Sequence, residues 1–134
     1  LILRTFYVSS RSAETTDLDV QRIVFSARIR NRRLDVTGML VELDHHFAQW
    51  LEGSPEAVEE LMSKIRSDRR HVDVQVVTRD LVDKRLFSHW DMAHVYRPDL
   101  VARVEQMHRL ASAIPERVES LMAALALNRD ESFC

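Results

Sequence analysis

The chain has 134 residues, 46% of them hydrophobic and 30% charged, with a formal net charge of −2. That is the make-up of one globular domain with a short appendage, without the global basic field that recruits nucleic acid. No apolar run approaches the roughly 20 residues that span a membrane and nothing resembles a signal peptide, while the one cysteine, Cys134, excludes an intrachain disulfide, so a cytoplasmic protein is expected. Leu1 to Ser10 reads as a strand with Leu1, Leu3, Thr5, Tyr7 and Ser9 on one face. Tyr7 is thereby placed beside the core, where a phenol needs a hydrogen-bond partner.

Thr15-Thr16-Asp17 caps a helix running to about Asn31, with Leu18, Val20, Ile23, Val24 and Ala27 as a narrow apolar face. Asn31 then falls near the helix end, where capping is its simplest role. Val36 to Leu43 is an apolar strand and Asp44-His45-His46 a polar turn. Phe47 to Gly53 follows as the partner strand of a hairpin. Alternation puts Phe47, Gln49 and Leu51 on one face, so an uncharged amide lies between two large apolar side chains. Burying it costs free energy unless its donor and acceptor find partners, in the backbone or in a ligand with complementary edges.

Ser54-Pro55 starts a second helix whose inner face is Ala57, Val58, Leu61, Met62 and Ile65. Val72, Val74, Val76 and Thr78 mark a half-buried strand, and a turn near Val82-Asp83-Lys84 leads to a fifth strand, about Leu86 to Ala93. On that strand Leu86, Ser88, Trp90 and Met92 are expected to share a face. The order strand, helix, strand, strand, helix, strand, strand predicts an α+β domain. Its split βαββαββ sheet is ferredoxin-like, with both helices side by side on one face.

Pro98-Asp99 opens a third helix with Leu100, Val101, Val104, Met107 and Ala111 on its apolar side. Ile114-Pro115 breaks it, and a fourth helix carries Val118, Leu121, Met122 and Leu125. Both are too short to stand alone and are expected to cover the open face of the sheet. The expected organisation is a domain over 1–96, a helical extension over 97–127 and a frayed tail over 128–134.

Chemistry is narrowly bounded. Six histidines are present, but no H-E-x-x-H or Cys/His zinc spacing, so no metal is expected. With only Gly38 and Gly53, no glycine-rich phosphate loop can be written. No grouping supports hydrolysis. What remains is a cleft between two helices, able to take a flat aromatic ligand, with Tyr7, Asn31 and Gln49 as its polar groups. Basic stretches at Arg28 to Arg33 and Arg66 to Arg70 read either as solvated helix ends or as the surroundings of a charged ligand tail.

The stretch from about Leu3 to Met92 resembles the BLUF family, blue-light sensors using FAD. The residues that carry the resemblance are Tyr7, Ser9, Asn31, Val36-Thr37-Gly38 and Phe47-x-Gln49-x-Leu51-Glu52-Gly53. Ile65-x-x-Asp68-x-Arg70-His71 and Arg85-x-Phe87-x-x-Trp90-x-Met92 complete the set. The resemblance implies FAD bound non-covalently, with Gln49 between Tyr7 and the flavin edge, Asn31 at the pyrimidine side, and Ile23, Ala27 and Ile65 around the ring. Lys64, Asp68, Arg70, His71 and Met92 match further positions near the ring or its tail. Two positions depart from the pattern: Arg32 stands where many members carry a second asparagine, and Ala27 where some carry serine.

The same resemblance implies that light drives electron and proton transfer from Tyr7, leaves the Gln49 hydrogen bonds rearranged, and sends a signal through Trp90, Met92 and the C-terminal helices. Photochemistry is thus expected at Tyr7, Gln49, Trp90 and Met92, with no catalytic output. The signal would pass to an unidentified protein partner or through a homodimer, with no nucleic acid or membrane involved. The alternatives from other classes are a light-independent small-ligand module and a flavin redox enzyme.

Overall fold

A computed structural model describes residues 1–111 and 116–128. Five strands, β1 (Ile2–Arg11), β2 (Thr37–Glu42), β3 (His46–Gly53), β4 (His71–Val82) and β5 (Ala93–Tyr96), form one sheet in the order β4-β1-β3-β2-β5. Neighbours pair antiparallel except β2 and β5, which run parallel. The first four strands have the split ferredoxin-like arrangement, and β5 extends the β2 edge. Helices α1 (Asp17–Leu34) and α2 (Pro55–Ser67) pack on one face, and α3 (Val101–Arg109) and α4 (Glu116–Asn128) on the other.

Strand alternation divides the core. Leu3, Tyr7, Leu40, Phe47 and Leu51 meet Val20, Val24, Ala27, Val58, Leu61 and Ile65 of α1 and α2. From the same strands Phe6, Val8, Met39, Val41, Ala48 and Trp50 meet Val104, Met107, Met122 and Ala126 of α3 and α4. Each large side chain fully buried in these layers contributes about 1.5–3 kcal/mol. Gly38 is required by close approach, since a Cβ there would lie 2.0 Å from the Trp50 carbonyl oxygen.

Helix α1 opens on a capping box: Thr16 Oγ1 accepts from the Asp19 N–H, and the Asp19 carboxylate accepts from the Thr16 N–H. It runs past Asn31 to Leu34 and stops at Asp35, whose φ of 54° is left-handed. Arg32 and Arg33 favour the extra turn, being good helix formers placed at the negative end of the dipole. Asn31 is therefore no cap: it is fully buried on the sheet side. Leu18 leaves the expected apolar face and is 55% exposed, and Leu1 at the chain start is exposed as well.

The fifth strand departs most from expectation. Residues 83–92 form turns, and the strand itself starts only at Ala93. The cause is the buried Glu52 carboxylate, which accepts the backbone N–H groups of Leu86 and Phe87, both at 2.8 Å, and the Arg4 guanidinium at 2.9 Å. With their N–H groups turned to a side chain, these residues cannot join a ladder. Phe87 is buried and Leu86 half exposed, the reverse of the strand reading. Trp90 packs beside Phe87 in the layer under α3 and α4, while Met92 is buried in the layer under α1 and α2. These two side chains do not share a face.

The C-terminal helices cover the second face as expected, though Val101 and Leu121 point outward. The Ile114-Pro115 break, the Val118 side chain and the tail from 129 to 134 lie outside the described residues.

Candidate functional site

Tyr7 and Gln49 are partners in the β1–β3 register. Both side chains point toward α1 and α2, and the Tyr7 hydroxyl donates to Gln49 Oε1. Burial, reinforced by the negative charge of Asp68, pushes the phenol pKa far up, so Tyr7 keeps its proton at any working pH. The other end of the amide is also engaged: Gln49 Nε2 donates to Met92 Sδ at 3.4 Å. A thioether is a weak acceptor, so this contact yields readily to a better one.

A cleft lies over this chain of contacts. Ile23, Ser26, Ala27 and Arg30 of α1 form one wall, and Lys64 and Ile65 of α2 the other. Asp68, Arg70 and His71 close one end, and Gln49 lies at the base. Asp68 is held by Arg70, whose guanidinium and backbone N–H both donate to it, and these bonds keep the carboxyl below its usual range. His71 Nδ1 lies 2.9 Å from Ser9 Oγ, and burial lowers its pKa to about 4, so the imidazole is neutral near pH 7.

Asn31 lies one helical turn beyond Ala27. Its Nδ2 donates to the Asp91 carbonyl at 2.8 Å, while its buried Oδ1 has no hydrogen-bond partner among the described residues. Arg30 Nε is buried and unpaired in the same sense. Such groups are costly and rare, and both lie on the α1 side of the site.

Of the residues expected at the site, Ile23, Ala27, Gln49, Lys64, Ile65, Asp68, Arg70 and His71 line one cleft. Tyr7 and Met92 join it through Gln49, and Asn31 stands beside it. Trp90 belongs to the opposite layer. Arg30 belongs to the basic stretch expected near a ligand tail, whereas Ser26 was not anticipated, although helical spacing from Ile23 places it on the same wall.

Ile23, Ala27 and Ile65 in the walls, basic residues between them, an amide at the base and an orphaned acceptor nearby fit a flavin with a phosphate tail. The cavity volume of about 80 Å³ is below the roughly 300–1,000 Å³ of pockets that enclose drug-sized ligands. A larger cleft of about 390 Å³, lined by Arg11, Asp17, Glu42, Asp44, His94 and Tyr96, does not include the Tyr7–Gln49 pair. Its charges pair with each other, Arg11 with Asp17 and Glu42, and His94 with Glu42.

Fold and site together define an α+β ligand-binding domain in which a phenol–amide pair underlies an interhelical cleft. Residues 2–93 match the family model described as sensors of blue light using FAD, and the chain belongs to this BLUF family. It is 34% identical over 87 residues to photoactivated adenylate cyclase subunit beta of Euglena gracilis, covering 64% of this chain and 10% of that protein. Among solved structures it is similar to the BLUF protein BlrB in its dark state, with TM-score 0.77, 31% identity, and coverage of 93% and 95% of the two chains. The photo-activated state of BlsA aligns with TM-score 0.81 at 26% identity, over 97% of each chain. The chain spans about a tenth of the length of the first curated relatives it matches. Among the described residues no helix is long and apolar enough to cross a membrane, and no group of side chains could hold a metal ion.

Proposed function

We propose that this chain senses blue light with FAD seated between α1 and α2, and that Tyr7 and Gln49 are its photochemical pair. The observation that carries the reading is the buried hydrogen-bond chain from Tyr7 through Gln49 to Met92 at the base of the cleft. Bound FAD supplies blue absorption and, when excited, a strong oxidant. Ile23, Ala27 and Ile65 would hold the ring, and the orphaned Asn31 Oδ1 would offer an acceptor to its polar edge. Lys64, Asp68, Arg70 and His71 border the ring or its tail.

Tyr7 is the natural donor of an electron and a proton because its phenol is protonated, buried and bonded to the amide. When both return to Tyr7 no net oxidation remains. Gln49 can be left rotated or tautomerised, its donor and acceptor ends exchanged. Met92 feels that change first through its contact with Nε2. It directly precedes β5, which leads through Arg97 and Pro98 to α3. Trp90 acts from the opposite layer, on the side of the C-terminal helices.

In this reading 1–96 is the sensor and 97–127 the output extension. The domain acts as a sensor, and a cytoplasmic protein partner or a second copy of the chain receives the signal. The test is to supply FAD, illuminate, and record the absorption spectrum. A reversible red shift without net reduction is expected. An unchanged spectrum, or steady turnover with a nicotinamide donor, would overturn the reading.

A further inference from the structure

Two cross-strand pairs sit back to back on β1 and β3. Tyr7 faces Gln49, and at the adjacent register position Phe6 faces Trp50. Alternation turns the first pair toward α1 and α2 and the second toward α3 and α4. The Phe6 and Trp50 rings stack with centroids 4.1 Å apart. The Trp50 indole N–H then donates to Glu119 Oε1 at 3.0 Å, and the Thr78 hydroxyl donates to Glu119 Oε2 at 2.6 Å.

Glu119 lies on α4, beyond the residues 2–93 that match the family. It is 3% exposed in a layer otherwise made of Met122, Ala123, Ala126 and the apolar sheet face. Burying a carboxyl there is unfavourable unless both oxygens are bonded. Here one oxygen is held by β3 and the other by β4. The helix is therefore docked by a polar clamp whose β3 anchor is the residue next to Gln49.

We propose that Glu119 is the positioning residue of the output, and that its clamp on Trp50 holds α4 in the dark arrangement and loosens when Gln49 rearranges. Gln49 and Trp50 share a peptide plane. A tilt of β3 that follows the amide therefore swings the indole N–H, and hydrogen bonds weaken steeply as they bend. Losing one bond to a buried carboxyl shifts the docking of α4 on the order of tenfold. A packed helix answers such a loss by changing between arrangements rather than deforming gradually. This inference rests on the photosensor reading above.

The test uses the full chain with FAD, comparing amide hydrogen exchange in α4 and the light-minus-dark infrared spectrum. Illumination should speed exchange in α4 about tenfold and produce a carboxyl band that Glu119→Gln removes. Trp50→Phe keeps the ring on Phe6, and Glu119→Leu keeps the volume. In both the flavin red shift, which also certifies folding, should persist while exchange in α4 no longer depends on light. Glu119→Gln, which retains an acceptor for the indole, should keep the light dependence. Wild type with a red shift but no light effect on α4, or an undiminished effect in both Trp50→Phe and Glu119→Leu, would overturn the clamp. If neither variant folds, the infrared spectrum of the wild type decides, and absence of the Glu119 band overturns it. Wild type without a red shift would overturn the photosensor reading itself, and the clamp with it.

Discussion

Tyr7 donates to Gln49 directly across the β1–β3 register, so the phenol and the amide are held by the two central strands of the sheet. Side chains fixed on rigid central strands keep their geometry better than side chains on loops. The cleft above them is instead made from helices and a turn, the parts able to yield to a ligand.

Removing either member of the pair separates binding from photochemistry. Tyr7→Phe leaves Gln49 Oε1 without its donor, and Gln49→Leu leaves the phenol without its acceptor. Each should cost about 1–3 kcal/mol of stability and abolish the normal red shift while FAD stays bound. A normal photocycle in either variant, recorded by absorption after a light pulse, would sink the assignment.

Asn31 is the binding counterpart. Its Oδ1 is buried without a partner and its Nδ2 is already committed to the Asp91 carbonyl. Asn31→Ala should weaken FAD binding about tenfold to a hundredfold, from one or two lost hydrogen bonds in a desolvated site. Titration of the flavin-free chain with FAD, followed by flavin fluorescence, measures this. The red shift should survive in the fraction that binds, since Tyr7 and Gln49 are untouched.

Local periodicity made both helices of the site, the hairpin and the Tyr7 and Gln49 faces legible in the sequence. Asn31 read as a cap because polar residues follow it, yet the helix continues for three residues and carries it inward. The stretch around Trp90 failed for a different reason. Leu86, Ser88, Trp90 and Met92 have strand spacing, but their path is dictated by Glu52, 34 residues before Leu86. No local pattern contains that contact. Ser26 was legible by helical spacing and was missed because it is not apolar, whereas Arg30 was read only as part of a basic stretch.

His71 makes stability depend on pH. Folded, it titrates at about 4, against an ordinary value of 6.5. Between these values the unfolded chain binds more protons, so stability rises with pH across the window. The contribution is complete above the unfolded value and is lost as pH falls toward the folded one, about 3 kcal/mol in all. Urea denaturation at about pH 5 and about pH 7.5 should show the difference, and His71→Gln should flatten it. An unchanged slope in that variant would assign the acid sensitivity to other groups.

Glu52 links the site to its output without touching the cleft. Its carboxylate holds Arg4 of β1 and the N–H groups of Leu86 and Phe87, so it fixes the start of the segment that delivers Met92 to Gln49. Glu52→Ala leaves two backbone donors unpaired beside the core and the Arg4 guanidinium with only the Lys84 carbonyl. The expected loss is about 3–5 kcal/mol, as for breaking a buried charge network from one side. Glu52→Gln keeps one strong acceptor and should cost less. Because Met92 is positioned through this segment, Glu52→Gln should also broaden the flavin absorption change or speed dark recovery. If Glu52→Gln recovers at the wild-type rate with wild-type band shape, Met92 is positioned by its nearer contacts, the Asn31 and Arg28 bonds to the Asp91 and Met92 carbonyls, and not through Glu52.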